Sequence, residues 1–306
     1  MGGGSLIKQY ESRFREGEQV LTERKGEWEE CHKEAYREVM DFGEYKVGVT
    51  ESGGYELLRG NNVISTFAEA RIEEDRILFP LSHGTLLEIS SSGIREILTP
   101  EKAELCGLIA AEGSLSPYEG ESHQIFFHSA DMELIERYIE LFEKVYNKTP
   151  HIYRGKGEFM AGIKNKEAYY DLREIGAKTG PYRYHVPLEH LDEDGIKAYL
   201  RGFFSGDGSV AKHGTYSIKL RISSKYGDCL EEVRAALVKI GFQPSEVRLD
   251  RTYGTHYLEI YAQDRISFIE EIGSYNPAHV EKFEEFLKAY EEGKLRGGRP
   301  KREDNK

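Results

Sequence analysis

The chain has 306 residues, enough for about two domains of ordinary size. Apolar residues make up 39% and charged residues 31%, which takes it out of the disordered class; a formal charge of −12 excludes a uniformly basic nucleic-acid binder. No apolar run reaches the roughly 18 residues of a membrane span, and Met1-Gly2-Gly3-Gly4-Ser5-Leu6 lacks the plan of a signal peptide, so the expected setting is cytoplasmic, at the nucleoid of a prokaryote or archaeon, with no membrane partner. Cys31, Cys106 and Cys229 lie far apart and form no C-x-x-C pair, which argues against a disulfide framework or a zinc site.

Residues 1–98 read as an accessory domain. Val20, Leu21, Trp28, Cys31, Ala35 and Val39 recur at helical spacing within Glu16–Asp41, predicting one long helix. Short strand-like runs follow at Tyr45–Thr50, Tyr55–Leu58, Val63–Phe67, Arg76–Leu81 and Thr85–Ile89, separated by Gly-, Asn- and Ser-rich turns, and predict a small meander or barrel.

From residue 99 the chain repeats itself. Leu105-Cys106-Gly107-Leu108-Ile109-Ala110-Ala111-Glu112-Gly113-Ser114 returns as Leu200-Arg201-Gly202-Phe203-Phe204-Ser205-Gly206-Asp207-Gly208-Ser209. Each copy ends a predicted helix, the first entered through Thr99-Pro100-Glu101 and the second capped by Asp192. A strand, a helix, a hairpin and another helix follow each: His123–Ser129, Asp131–Tyr146, His151–Ile163 and a helix from Glu167; then Thr215–Ser223, Asp228–Ile240, Glu246–Ala262 and a helix near Asp264. The tandem units, 99–190 and 191–292, predict a pseudo-twofold monomer, closed by an amphipathic helix Pro277–Glu292 and a basic tail 293–306. That tail holds Lys294, Arg296, Arg299, Lys301 and Arg302 without an acid up to Arg302, and suits either a phosphate-contacting arm or a solubilising end.

Small residues at Gly107 and Ala111 in one motif, and Gly202 and Gly206 in the other, allow two helices to cross backbone to backbone. Such a crossing sets Glu112 beside Asp207. Two carboxylates held together repel unless a cation or proton intervenes, and hard oxygen ligands select Mg²⁺, with Mn²⁺ as the natural substitute. Bridged acids of this kind serve phosphodiester hydrolysis.

The paired segments resemble the motifs of single-chain LAGLIDADG homing endonucleases, over about residues 99–292. The resemblance implies an α+β fold of two αββαββα subdomains forming a saddle over a long double-stranded DNA target. It implies Mg²⁺-dependent cleavage by an intron-encoded enzyme, with Glu112 and Asp207 as metal ligands. Ala110 and Ser205 stand where the name-giving motif has its first Asp, a variable place in the family. The family often has a lysine near the metals, for which Lys178 and Lys282 are the candidates, each following its unit's last strand and helix.

Strand periodicity in Ser217–Ser223 puts Ile218, Leu220 and Ile222 on one face, and Ser217, Lys219, Arg221 and Ser223 on the other, a face suited to phosphate and major-groove contact. Lys212, Arg248, Arg251 and Tyr253 extend that surface, and the first unit offers Gln124, His128, Arg154 and Lys156 in analogous places. Two further readings stay open on the same scaffold: an RNA maturase, with intron RNA as partner, and a non-catalytic DNA-binding regulator. An intein endonuclease would need a nucleophile at the start and His-Asn at the end, which Met1 and Asn305-Lys306 do not supply, so a free-standing protein is expected.

Overall fold

A computed structural model describes residues 36–60, 62–117, 123–155, 157–178, 182–213 and 217–294. Contacts divide the chain into two units, the first running to Ile97 and the second from Leu98.

The described part of the first unit is built of strands alone. A four-stranded antiparallel meander comprises β1 (Tyr36–Phe42), β2 (Tyr45–Thr50), β3 (Tyr55–Arg59) and β4 (Asn62–Phe67); a second comprises β5 (Arg71–Ile72), β6 (Arg76–Pro80), β7 (Thr85–Ser90) and β8 (Gly93–Leu98). Val47, Leu57, Ile77, Phe79 and Ile89 form its core, with Phe67 stacked on Phe79 at 4.1 Å. The helix expected over 16–41 lies outside the described residues up to position 35, and its last residues are corrected: Tyr36–Phe42 is a strand paired with β2. The turn decides this. Gly43 takes φ +79° and donates its N–H to Asp41 Oδ1, folding the segment into a hairpin whose cross-strand bonds override local apolar spacing.

The second unit contains two successive αββαββα series. The first runs α1 (Pro100–Glu112), β9 (Gly113–Pro117), β10 (His123–Ser129), α2 (Met132–Tyr146), β11 (His151–Arg154), β12 (Phe159–Lys164) and α3 (Lys166–Glu174). The second runs α4 (Glu193–Asp207), β13 (Gly208–His213), β14 (Ser217–Ser224), α5 (Gly227–Lys239), β15 (Arg248–Asp250), β16 (Thr255–Ile260) and α6 (Arg265–Glu271), and α7 (Pro277–Glu291) follows. Each series carries a four-stranded antiparallel sheet, ordered β11-β12-β10-β9 and β13-β14-β16-β15. The strand that leaves each motif helix is therefore an edge strand.

Helices α1 and α4 pack on each other at the centre of one continuous core. An ideal Cβ on Gly107 would lie 2.1 Å from the Tyr199 carbonyl oxygen, and one on Gly202 would lie 2.3 Å from that of Glu104, so only glycine permits this approach. Every residue of α1 from Lys102 to Ala110 is buried. Its two charged members are paired: Lys102 with Asp171 at 2.9 Å, and Glu104 with Arg137, whose Nε and Nη2 donate at 2.6 and 3.0 Å. Arg201 of α4 reaches Glu104 at 3.7 Å, tying the two copies together through a buried charge. Among the described residues no helix is long and apolar enough to cross a membrane.

Candidate metal and nucleic-acid site

The motif helices run straight into their sheets. Thr99 and Asp192 cap their starts, accepting from the N–H of Lys102 and Gly195, and Pro100 fills the first turn of α1. At the other end Gly113 and Gly208 are already extended, at φ −85° and −77°, with their N–H groups bonded to Ile109 and Phe204. Neither glycine takes the left-handed conformation common after helices. Glycine serves by lacking a side chain, since a Cβ would stand 2.6 Å from Ile109 Cα in one copy and 2.2 Å from the Phe204 oxygen in the other. Each motif acid is thus the last helical residue before an edge strand.

The charge of Glu112 acts on Asp207. Burial, then the charge of Glu112, pushes the Asp207 carboxyl up to about 8 against the partial relief of Lys178. Burial likewise raises Glu112, with Lys178 and His128 opposing and Glu158 adding to the shift. By accessible surface Glu112 is exposed and Asp207 half-buried, so protein encloses the carboxylates while leaving them a solvent-facing opening. Lys178 is 8% exposed; its Nζ donates to the Ala110 carbonyl at 2.8 Å and more weakly to that of Ala111 at 3.4 Å. Burial lowers its pKa, and the two acids resist that shift.

The second copy has an amide in the corresponding role. Asn276 Nδ2 bonds the Ser205 carbonyl at 3.4 Å and Asp131 Oδ2 at 3.3 Å, while its side-chain oxygen caps α7. The closing helix from Pro277 was expected from its amphipathic pattern, whereas the roles of Asn276 emerge from the structure. Lys282 donates to the Val210 carbonyl at 2.8 Å, and the cation that offsets the Asp207 shift is Lys178. A cleft beside Glu112 is lined by His128, Asp131, Glu158, Ser205 and Asn276; of these the sequence offered His128 as a DNA-contact candidate and Ser205 as a motif position.

Two enclosed acids against one buried lysine fit a divalent cation, which would offset the burial that raises both carboxyls and the Glu112 charge that further raises Asp207. Among the described residues no cluster of three or more His, Cys, Asp or Glu could hold a metal, so an ion here would draw its remaining ligands from backbone, water or a phosphate.

Burial along β14 alternates through all eight residues, leaving Ser217, Lys219, Arg221 and Ser223 on the open face. Cross-strand register adds Ser209, Tyr257, Glu259, Arg248 and Asp250 to it. Arg251 and Tyr253 occupy the β15–β16 turn, Tyr253 at 79% exposure. Lys212 departs from the expected surface: it pairs across strands with the buried Ile218 and bonds Glu285 of α7 at 2.6 Å, on the covered side. In the first sheet Gln124 and His128 share the open face, whereas Arg154 alternates to the other side of β11 and lies over the Phe159 ring at 5.5 Å. Lys156 falls outside the described residues. Gly107, Ala111, Gly202 and Gly206 all lie in the helix crossing, where a Cβ on Gly206 would meet Ala111 Cβ at 2.6 Å and Glu112 Cγ at 2.9 Å.

Comparison with known proteins gives two family matches: a LAGLIDADG-like domain over residues 194–273 and a WhiA LAGLIDADG-like domain over 101–185. The replication factor C small subunit of Methanocaldococcus jannaschii is 29% identical over 153 residues, which is 46% of this chain but 7% of that protein. A probable cell division protein WhiA from Ligilactobacillus salivarius is 27% identical over 190 residues, 57% of either chain. Among solved structures, that of mesophilic variants of the homing endonuclease I-DmoI has a TM-score of 0.47 at 22% identity, covering 56% of this chain and 90% of that one. The chain spans only a small part of the first of these relatives, and that likeness concerns a shared segment.

Proposed function

Because the chain belongs to the LAGLIDADG family and carries two copies of its domain, we propose that it is a site-specific endonuclease of double-stranded DNA, intron-encoded and acting at the nucleoid as a single chain. The observation that carries this reading is the meeting of Glu112 and Asp207 at adjoining helix ends, where the charge of Glu112 helps to raise the Asp207 pKa and Lys178 interacts with both acids, and a sheet edge starts one residue beyond each acid.

Glu112 and Asp207 would hold a divalent cation, Mg²⁺ or Mn²⁺, which when bound supplies an activated water and neutralises charge on the phosphate. The chain's own residues do the rest. The glycine crossing fixes the spacing of the two carboxylates, because neither helix can slide without a backbone clash. Lys178 locks the last turn of α1 through two carbonyls and keeps one N–H for charge developing on a scissile phosphate oxygen. Lys219, Arg221 and Arg248 give the second sheet cations for duplex contact in a molecule that is acidic as a whole.

A plasmid library carrying random duplex inserts, incubated with Mg²⁺, tests the reading. Wild type is expected to linearise a subset, and Asp207→Asn or Glu112→Gln to yield no product while still melting cooperatively. Undiminished cutting by both variants would overturn the assignment. The match of residues 101–185 to the WhiA domain favours a second reading, a DNA-binding regulator without catalysis; sequence-specific retention of DNA with no cutting in Mg²⁺ or Mn²⁺ would establish it instead.

A further inference from the structure

The two open sheet faces differ in chemistry more than a pseudo-twofold repeat requires. In the first sheet, register aligns His151, Gly162, Phe126 and Ser114 in one row, Tyr153, Met160 and His128 in the next, and Lys164, Gln124 and Ser116 in a third. Among these described residues Lys164 is the one lysine or arginine, and there is no acid. The middle of the face is an aromatic shelf. A Cβ on Gly162 would stand 2.5 Å from the Phe126 ring and 3.4 Å from that of Tyr153, so both rings lie across the glycine, and Tyr153 keeps 49% exposure.

The second sheet carries ions in the same places. Arg221 lies between Ser209 and Glu259, with Lys219 beside it and Arg248 across from Tyr257. Its guanidinium stacks over Tyr257 at 4.0 Å and gives one hydrogen bond to Glu259, at 2.9 Å, while Asp250 stands at 3.7 Å, beyond hydrogen-bond reach. One of its five N–H groups donates to Glu259, an acid that Lys219 also approaches at 3.6 Å, and the fork is held in place between two carboxylates with donors left for a base edge.

Base edges answer these two surfaces differently. Arginine and lysine pair with the O6 and N7 of guanine and a carboxylate accepts from cytosine N4, whereas glutamine pairs with adenine and apolar or aromatic groups contact the thymine methyl. Resting on the DNA-binding reading above, we infer that this chain reads a chemically split target: an A·T-rich, thymine-bearing half under β9–β12, centred on Phe126, Tyr153 and Gln124, and a half with fixed G·C pairs under β13–β16, centred on Arg221, Lys219 and Glu259.

The test is selection of bound sequences from a fully randomised duplex library by the full-length chain, with Ca²⁺ as the divalent ion, repeated with Arg221→Ala and Phe126→Ala. Both positions are on open faces, and melting temperatures check that the fold is kept. The wild-type chain should recover sites with one A·T-rich half and one half bearing invariant G·C pairs. Arg221→Ala should weaken preference about tenfold at a G·C position and leave the other half unchanged, and Phe126→Ala should do the converse. Two halves of like base composition, or both variants relaxing the same half, would overturn the inference. Enriched sites that are never cut in Mg²⁺ would defeat only the nuclease reading, and absence of any enriched sequence would defeat both.

Discussion

Asp207 shows at a single carboxyl how a site sets function against stability. Its pKa is about 8 in the folded chain against 3.8 when exposed, so the folded state holds the proton longer than the unfolded one. Stability contributed at this position is greatest below pH 4 and is lost as pH rises toward 8. Asp207→Asn is therefore expected to raise the melting temperature at pH 8, with the gain shrinking steadily toward pH 4, in a thermal series that also shows cleavage abolished. Buried His279 has the opposite sign. Burial first, then the charge of Lys282, lowers it to about 4 from 6.5, so the unfolded chain takes up the proton first and stability falls between pH 6.5 and 4, then levels. His279→Gln should flatten that acid slope in urea titrations. Lys178→Met removes the one cation acting on both acids and should cost about 10²–10³ in cleavage rate, with DNA retention in gel shifts kept.

Among elements the decisive contact is α1 against α4, and it was legible before any coordinates because small residues recur in register in both copies. Gly107→Ala would place a Cβ 2.1 Å from a backbone oxygen that cannot swing aside, and a loss of about 1–3 kcal/mol or more is expected in denaturant unfolding. Glu104→Gln would leave Arg137 and Arg201 facing a neutral group where Glu104 is 2% exposed, costing about 3–5 kcal/mol by the same measurement. Neither partner of Glu104 lies near it in the chain, so periodicity could not show this triad. The surface residues divide for a similar reason. Alternation along β14 was visible because one strand carries it, while Lys212 and Arg154 changed sides because their faces depend on pairing with Ile218 and Phe159. The strand Tyr36–Phe42 escaped because its spacing suits a helix and only the Gly43 turn and its hairpin partner decide otherwise. Asn276 both caps α7 and reaches a carbonyl in the preceding motif helix, and the second role depends on packing that no local pattern shows.

At the scale of the molecule, two separate apolar cores underlie the two units, one formed from Val47 to Ile89 and the other from Leu98 onward. A chain beginning at Leu98 is expected to melt cooperatively by circular dichroism on the strength of its own core. A net charge of −12 with few cations on the sheet faces predicts a shallow salt dependence of DNA affinity, each neutralised phosphate adding about −0.9 to the logarithmic slope. The absence of any loop between α1 and β9, or between α4 and β13, has one more consequence. With a rigid rod on one side of each acid and a sheet margin on the other, the carboxylates have no slack of their own. A duplex that fits both margins would leave the acids where the crossing sets them, and a mismatched one that lifts either margin would drag its acid out of line. Recognition and hydrolysis would then share a single mechanical joint, and fidelity would be enforced without a separate checkpoint.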